Sequence, residues 1–201
     1  MNIHRITSIE LLNKTPFLNL YKVLYKNKKD TIRNWIVASR KKEDEYKNTL
    51  LKISDSKDDA VVIAAFHKKY KKLVIIKEYR VPINDYIYEL VAGLVEPNEE
   101  SLSASSREFK EETGLNLVKI LKSKENIYAS AGMTDESFKL IYCTCDGEIS
   151  TDFQEDDEDI ETLLIDKNEA LSILNSNNKI DVKAYFVLKE FACVGEKMFI
   201  E

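Results

Sequence analysis

Seven residues between Gly93 and Leu115 have the types and intervals needed to hold a divalent cation against a pyrophosphate. They are Gly93, Glu99 after five residues, Arg107-Glu108 after seven more, then Glu111-Glu112 and Gly114. The run Ser101 to Glu112 contains no proline or glycine and reads as a helix, with Gly114 as its stop signal. Positions three and four apart share a helix face, so Glu108, Glu111 and Glu112 project within about 100° of one another. Carboxylates crowded in this way repel unless a cation sits between them. Hard oxygen donors with room left for water and phosphate suit Mg²⁺, with Mn²⁺ as a substitute. Arg107 precedes Glu111 by four residues and can orient it, and Glu99 can fold back onto Arg107. The glycine-bounded turn from Gly93 to Pro97 lets backbone approach the same point closely.

Several elements must position this helix. Leu102, Ser105 or Ser106, and Phe109 recur at helical spacing as its inner face. Residues 17–26 and 31–39 alternate apolar and polar around Asn27-Lys28-Lys29-Asp30 and read as a hairpin. The densely charged stretch Lys41 to Asp59 reads as a surface excursion, broken by the apolar run Leu50 to Ile53. Val61 to Phe66 and Leu73 to Tyr79 are strands of buried type, and Tyr86 to Val91 leads as one strand into the acidic motif. Further strands are expected at Ile127 to Ala129, Phe138 to Cys145 and Glu161 to Ile165. Closing helices are expected at Asn168 to Leu174 and Val182 to Ala192.

Composition narrows the function classes. The chain has 201 residues, of which 44% are hydrophobic, enough for one solid core and a small accessory element. A net charge of −5 argues against a nucleic-acid surface, which needs basic patches. No apolar stretch approaches transmembrane length, and Met1 to Arg5 lacks the layout of a signal peptide. Cys143, Cys145 and Cys193 form no Cys-x-x-Cys pair and read as buried free thiols of a reducing, cytoplasmic compartment. With only His4 and His67, a histidine-built catalytic site is not expected.

The segment from Gly93 to Leu115 resembles the Nudix box, G-x5-E-x7-R-E-U-x-E-E-x-G-U with U a bulky apolar residue, and every position fits. The resemblance implies an α/β fold, the Nudix α/β/α sandwich with a mixed sheet, at residues 58–201. A small antiparallel β element at residues 1–57 would precede it. It further implies Mg²⁺-dependent hydrolysis of a nucleoside diphosphate linked to another group. Glu108 and Glu112 would be the principal metal ligands, assisted by Glu111 and Arg107.

Flanking residues narrow the substrate. Glu78-Tyr79-Arg80-Val81-Pro82 and Glu89-Leu90-Val91-Ala92-Gly93 look like the Q-Y-R-x-P and E-x-P-A-G stretches of ADP-ribose pyrophosphatases. That implies a substrate cleft lined by Arg80 and Glu89, and a metal ligand from the Ala92 carbonyl. An arginine fork can grip a diphosphate in two places. Arg33 to Arg40 is similar to the N-terminal strand of that subfamily, where an aromatic residue stacks on adenine and an arginine follows. This places Trp35 and Arg40 at the substrate, with a core position the alternative for Trp35. In the subfamily such strands pair across a homodimer. Ser130-Ala131-Gly132 corresponds to its S-P-G loop, with Gly132 near ribose or phosphate. Here Ala131 and Val91 replace the subfamily's prolines. In the acidic stretch after Asp152, Glu158 matches the glutamate that activates the attacking water, with Asp156 a nearby second acid. Together these imply cleavage of ADP-ribose, a small-molecule nucleoside diphosphate sugar, to AMP and ribose 5-phosphate. The alternatives are another nucleotide sugar such as GDP-mannose, or an ADP-ribose-binding regulator. The regulator would show a broken box or an appended DNA-binding helix pair, and the sequence has neither.

Overall fold

The computed structural model describes residues 5–54, 57–155 and 158–200. Within them the chain forms two compact units. One runs up to Asp59 and also takes in Asn126–Phe138; the other comprises Ala60–Glu125 and the chain from Lys139 onward.

The first unit is built on a three-stranded antiparallel sheet in the order β1-β2-β3, with β1 at Ile6–Lys14, β2 at Asn19–Lys26 and β3 at Ile32–Ser39. β2 and β3 form the expected hairpin, in register from Asn19↔Ser39 to Lys26↔Ile32. The alternation of β2 turns Tyr21 and Val23 inward. The stretch read as a surface excursion instead contains a helix, α1, at Glu43–Leu50. Its one fully buried side chain, Tyr46, stacks on Tyr21 with ring centroids 4.3 Å apart. That contact joins residues far apart in sequence, so local pattern could not announce it. Asp59 and Ser137 close the unit by exchanging hydrogen bonds: Asp59 N–H donates to the Ser137 carbonyl at 2.9 Å, and Ser137 N–H to the Asp59 carboxylate at 3.0 Å.

The second unit centres on a seven-stranded sheet. Its strands are β4 (Ala60–His67), β5 (Lys72–Arg80), β6 (Asp85–Glu89), β7 (Val91–Leu94), β8 (Asn116–Tyr128), β9 (Ser137–Asp146) and β10 (Ile160–Ile165). The order is β10-β5-β4-β9-β8, with β6 added to β5 and β7 to β4. β4 and β5 pair with each other only at Phe66↔Leu73 and His67↔Lys72. Beyond that point the sheet forks: β4 pairs with β7, and β5 with β6. The fork corrects the single strand expected over Tyr86 to Val91. The chain changes partner at buried Leu90, so one apolar run serves two ladders. β8 is also far longer than the short strand expected at Ile127 to Ala129.

Strand alternation sorts the two faces of this sheet. Val61, Ile63, Ala65, Val74 and Ile76 form one core with Ala104 and Phe109 of helix α2 (Ser101–Thr113). On the opposite face Phe66 packs on Phe191 of α4 (Val182–Val194) and on Phe199, while α3 (Lys167–Asn175) carries buried Ala170 and Ile173. The result is the α/β/α sandwich. α2 ends where Gly114 adopts φ 74° and its N–H returns to the Lys110 carbonyl at 2.9 Å. Phe109 is wholly buried, which contributes about 1.5–3 kcal/mol. Leu102, expected on the inner face, is 45% exposed. Ser105 and Phe109 are buried there as expected, and Ala104, Glu112 and Thr113 join them. Cys143 and Cys145 are buried and free, but Cys193 is exposed, contrary to expectation. No helix among the described residues is long and apolar enough to cross a membrane.

Candidate active site

Arg107 is the hub on α2. Its Nε and Nη2 donate to the two oxygens of Glu99 at 3.0 and 2.9 Å, and Nη2 also reaches the Leu94 carbonyl at 3.2 Å. Nη1 donates to Glu111 at 3.0 Å and lies 2.9 Å from a Glu108 oxygen. Glu99 in turn accepts the Glu96 N–H at 3.0 Å, which ties the loop before α2 to the helix. The fold-back of Glu99 and the Arg107–Glu111 pair are therefore present as spaced in the sequence. The hydrogen bond from Arg107 holds the Glu99 carboxyl below its usual range.

Glu108 and Glu112 lie one turn apart and are treated differently. Gly93 stands in β7 rather than in a turn, opposite Val61, and a Cβ there would overlap the Glu108 carboxylate. Only glycine lets that carboxylate lie against the strand. Gly93→Ala is thus expected to swing Glu108 aside at a folding cost below about 1 kcal/mol, since a flexible side-chain end can yield. Any affinity for a divalent cation that Glu108 contributes should fall about 10- to 100-fold. Melting curves beside a magnesium titration would check this; an unchanged titration would refute the close-packing argument.

Glu112 is 4% exposed, and its Oε2 has no hydrogen-bond partner among the described residues. Burial pushes its carboxyl well above the usual range, and the charges of Glu78, Glu108 and Glu158 add to this. Burial likewise raises Glu108, against the pull of Arg107. Glu78 on β5 is pushed to about 7 by burial, with Arg80 opposing and Glu89 reinforcing. Several carboxyl groups thus converge where solvent cannot screen them, an arrangement common at functional sites.

On the sheet side, Arg80 Nε and Nη2 donate to Glu89 Oε2 at 2.9 and 2.6 Å, and Nη1 lies 2.7 Å from Glu78 Oε1. Ala92 is in register with Val62 beside Gly93. Glu158 accepts the Glu155 N–H at 2.9 Å, and its charge acts on Glu78, Glu108 and Glu112. Asp156 lies outside the described residues. Gln154 anchors this loop, donating to the Glu112 carbonyl at 2.8 Å and the Ile160 carbonyl at 3.2 Å.

Glu158, Glu111, Arg107, Arg80, Glu89, Ala92, Glu108 and Glu112 therefore all belong to the second unit. Trp35, Arg40 and Gly132 belong to the first. There Trp35, 50% exposed, donates its indole N–H to the Gly132 carbonyl at 3.0 Å, and Arg40 Nε donates to Glu136 at 2.9 Å. Sequence reasoning assigned no role to Glu78 or Gln154. Glu78 stands two residues before Arg80, hence on the same strand face, which was the available signal; nothing local marked Gln154.

The donor set suits a hard divalent cation. It offers the unpartnered buried Oε2 of Glu112 and the Glu108 carboxylate seated on Gly93. Among the described residues no three His, Cys, Asp or Glu side chains close into a cage by themselves.

The site is thus an acidic helix braced by Arg107 and set against the sheet of an α/β/α sandwich. The NUDIX domain family model matches residues 56–186, more than half of the chain, and the protein belongs to the Nudix hydrolase family. It is 30% identical over 122 residues to an ADP-ribose pyrophosphatase of Bacillus subtilis, covering 59% of this chain and 64% of that protein. It is 23% identical over 194 residues to an ADP-sugar pyrophosphatase of Mus musculus, covering 90% and 84%. The chain spans 66% and 64% of the length of the first curated relatives it matches. A crystal structure of an ADP compounds hydrolase superimposes with a TM-score of 0.63 at 16% identity, covering 92% of both chains, a likeness of fold.

Proposed function

We propose that this Nudix hydrolase cleaves the pyrophosphate of ADP-ribose, or of a closely related nucleoside diphosphate sugar, to a nucleoside monophosphate and a sugar phosphate. The observation that carries this reading is the pairing of buried Glu112 and strand-seated Glu108 on α2 with Arg80 on the sheet, whose charge acts on Glu112. The names of the relatives in Bacillus subtilis and Mus musculus support the same substrate class.

In this reading Glu108, Glu112 and the Ala92 carbonyl hold Mg²⁺, or Mn²⁺ in its place. When bound, the cation neutralises charge on the diphosphate oxygens. Arg107 fixes Glu111 and Glu108 in place through its hydrogen bond and ion pair, which limits reorganisation during the reaction. Arg80 keeps its remaining N–H groups for the diphosphate, being held from behind by Glu89. Glu158 takes the proton of the attacking water from a loop anchored at Gln154. In the first unit, half-exposed Trp35 has an aromatic face suited to stacking on a base, its indole N–H held by the Gly132 carbonyl. A homodimer is part of the proposal, supported by exposed Phe17, Leu20, Ile32 and Ile36 on the first unit.

The test is turnover of ADP-ribose beside GDP-mannose and other nucleotide sugars in ¹⁸O-water with Mg²⁺, with mass analysis of both products. AMP and ribose 5-phosphate as the fastest-formed pair is the expected outcome. Val91 and Ala131, where the subfamily has prolines, favour a different sugar as the second reading. Faster release of a different monophosphate would establish it.

A further inference from the structure

The even-numbered side chains of β5 run from the core into the site. Val74 and Ile76 pack under α2, and Glu78 and Arg80 follow on the same face. Glu78 pairs across the sheet with Ile160 of β10 on one side and Ile87 of β6 on the other, and its side chain is mostly buried. One guanidinium therefore serves two carboxylates: Glu89 takes Nε and Nη2, and Glu78 stands 2.7 Å from Nη1. With both carboxylates ionised these three side chains carry an excess of one negative charge, where a glutamine in place of Glu78 would leave them neutral. The charges that act on Glu78 are those of Arg80 on its own strand, Glu89 on β6 and Glu158, and that of Glu78 acts in turn on Glu112.

We propose that Glu78 is a specificity residue that makes the site reject a bare diphosphate and admit one only in company with its divalent cation. Selectivity of this kind comes from a repulsive element set beside an attractive one. Arg80 supplies the attraction for phosphate oxygens. Glu78 offsets it by holding the Nη1 edge with a charge of the same sign as the ligand. A cation on the diphosphate removes the repulsion and leaves Arg80 free to engage. This inference rests on the pyrophosphatase reading but not on the identity of the sugar.

The experiment uses inorganic pyrophosphate, the moiety common to every candidate substrate, with binding followed by calorimetry on the full chain. At pH 8.5 a carboxyl with its midpoint near 7 is ionised. In EDTA, Glu78→Gln is expected to bind pyrophosphate at least about tenfold tighter than the unaltered protein. With saturating Mg²⁺ the difference should shrink to within about threefold. Glu78→Ala separates charge from shape and should gain in EDTA as well. The proposal is overturned by equal affinities in EDTA, by a gain that persists undiminished with Mg²⁺, by a gain confined to the alanine variant, or by no pyrophosphate binding even with Mg²⁺. Failure of the ADP-ribose reading would appear separately, as absent turnover of that compound by the unaltered protein.

Discussion

Glu112→Gln is expected to lower magnesium-dependent cleavage at least about a hundredfold while raising the melting temperature of the metal-free protein. Both effects have one origin. The Glu112 carboxylate is buried, its Oε2 lacks a partner, and Glu78, Glu108 and Glu158 repel it. Such a group costs stability whenever it is charged and no cation is present. An amide of the same shape removes that cost, by about 1 kcal/mol or more, or roughly 2–4 °C for a chain of this size. It also removes a hard anionic donor, and losing even a group that merely supports a metal ligand costs 10- to 100-fold. Added Mg²⁺ should raise the melting temperature of the unaltered protein by mass action and leave that of the variant almost unmoved. A variant that melts lower without metal, or keeps full activity, would show that Glu112 is a structural carboxylate instead.

Lys41→Met should destabilise the first unit by about 3–5 kcal/mol, the range for removing one partner of a buried ion pair. The Lys41 side chain is 5% exposed, and its Nζ lies 2.6 Å from Asp59 and 3.1 Å from Asp135. Neither Asp135 oxygen has a well-formed hydrogen bond among the described residues, and the Lys41 charge compensates that carboxylate. The variant would leave two shielded carboxylates facing each other. Adding Asp135→Asn should restore part of the loss, and thermal melts of the single and double variants measure the coupling. Loss below about 1 kcal/mol in the single variant would mean that solvent reaches the cluster.

The same cluster sets an alkaline limit. Burial alone would lower the Lys41 pKa, but the hydrogen bond that Lys41 donates to Asp59 and the charges of Asp135 and Asp59 outweigh it, and the pKa lies above its usual 10.5. The folded state therefore holds this proton more tightly than the unfolded chain. Its stabilisation is fully present below the unfolded pKa and is lost as pH rises through the folded one.

How far the chemistry could be read in advance depended on distance along the chain. Glu99, Arg107 and Glu111 lie within about three helical turns, so spacing on one helix and its preceding loop was enough to place their hydrogen bonds. Gly114 was legible for the same reason, since a helix stop is a local conformational demand. Gly93 was singled out correctly as a point of close approach, yet for a turn rather than a strand, because its neighbour is Glu108 on another element. α1 went unseen because its one buried side chain, Tyr46, finds its stacking partner on β2.

The sequence by itself determined a helix with carboxylates on one face, an arginine to brace them and a glycine to end it. These follow from helical periodicity and backbone sterics, which act between near neighbours. Tertiary structure alone decided that Glu112 is buried without a partner, that Glu78 presses on Arg80, and that Lys41 gathers Asp59 and Asp135. Burial and charge coupling are set by what packs against a residue from elsewhere in the chain. Arg80 and Glu89 meet only because β5 and β6 pair, and Leu90 turns inward only because the sheet forks there.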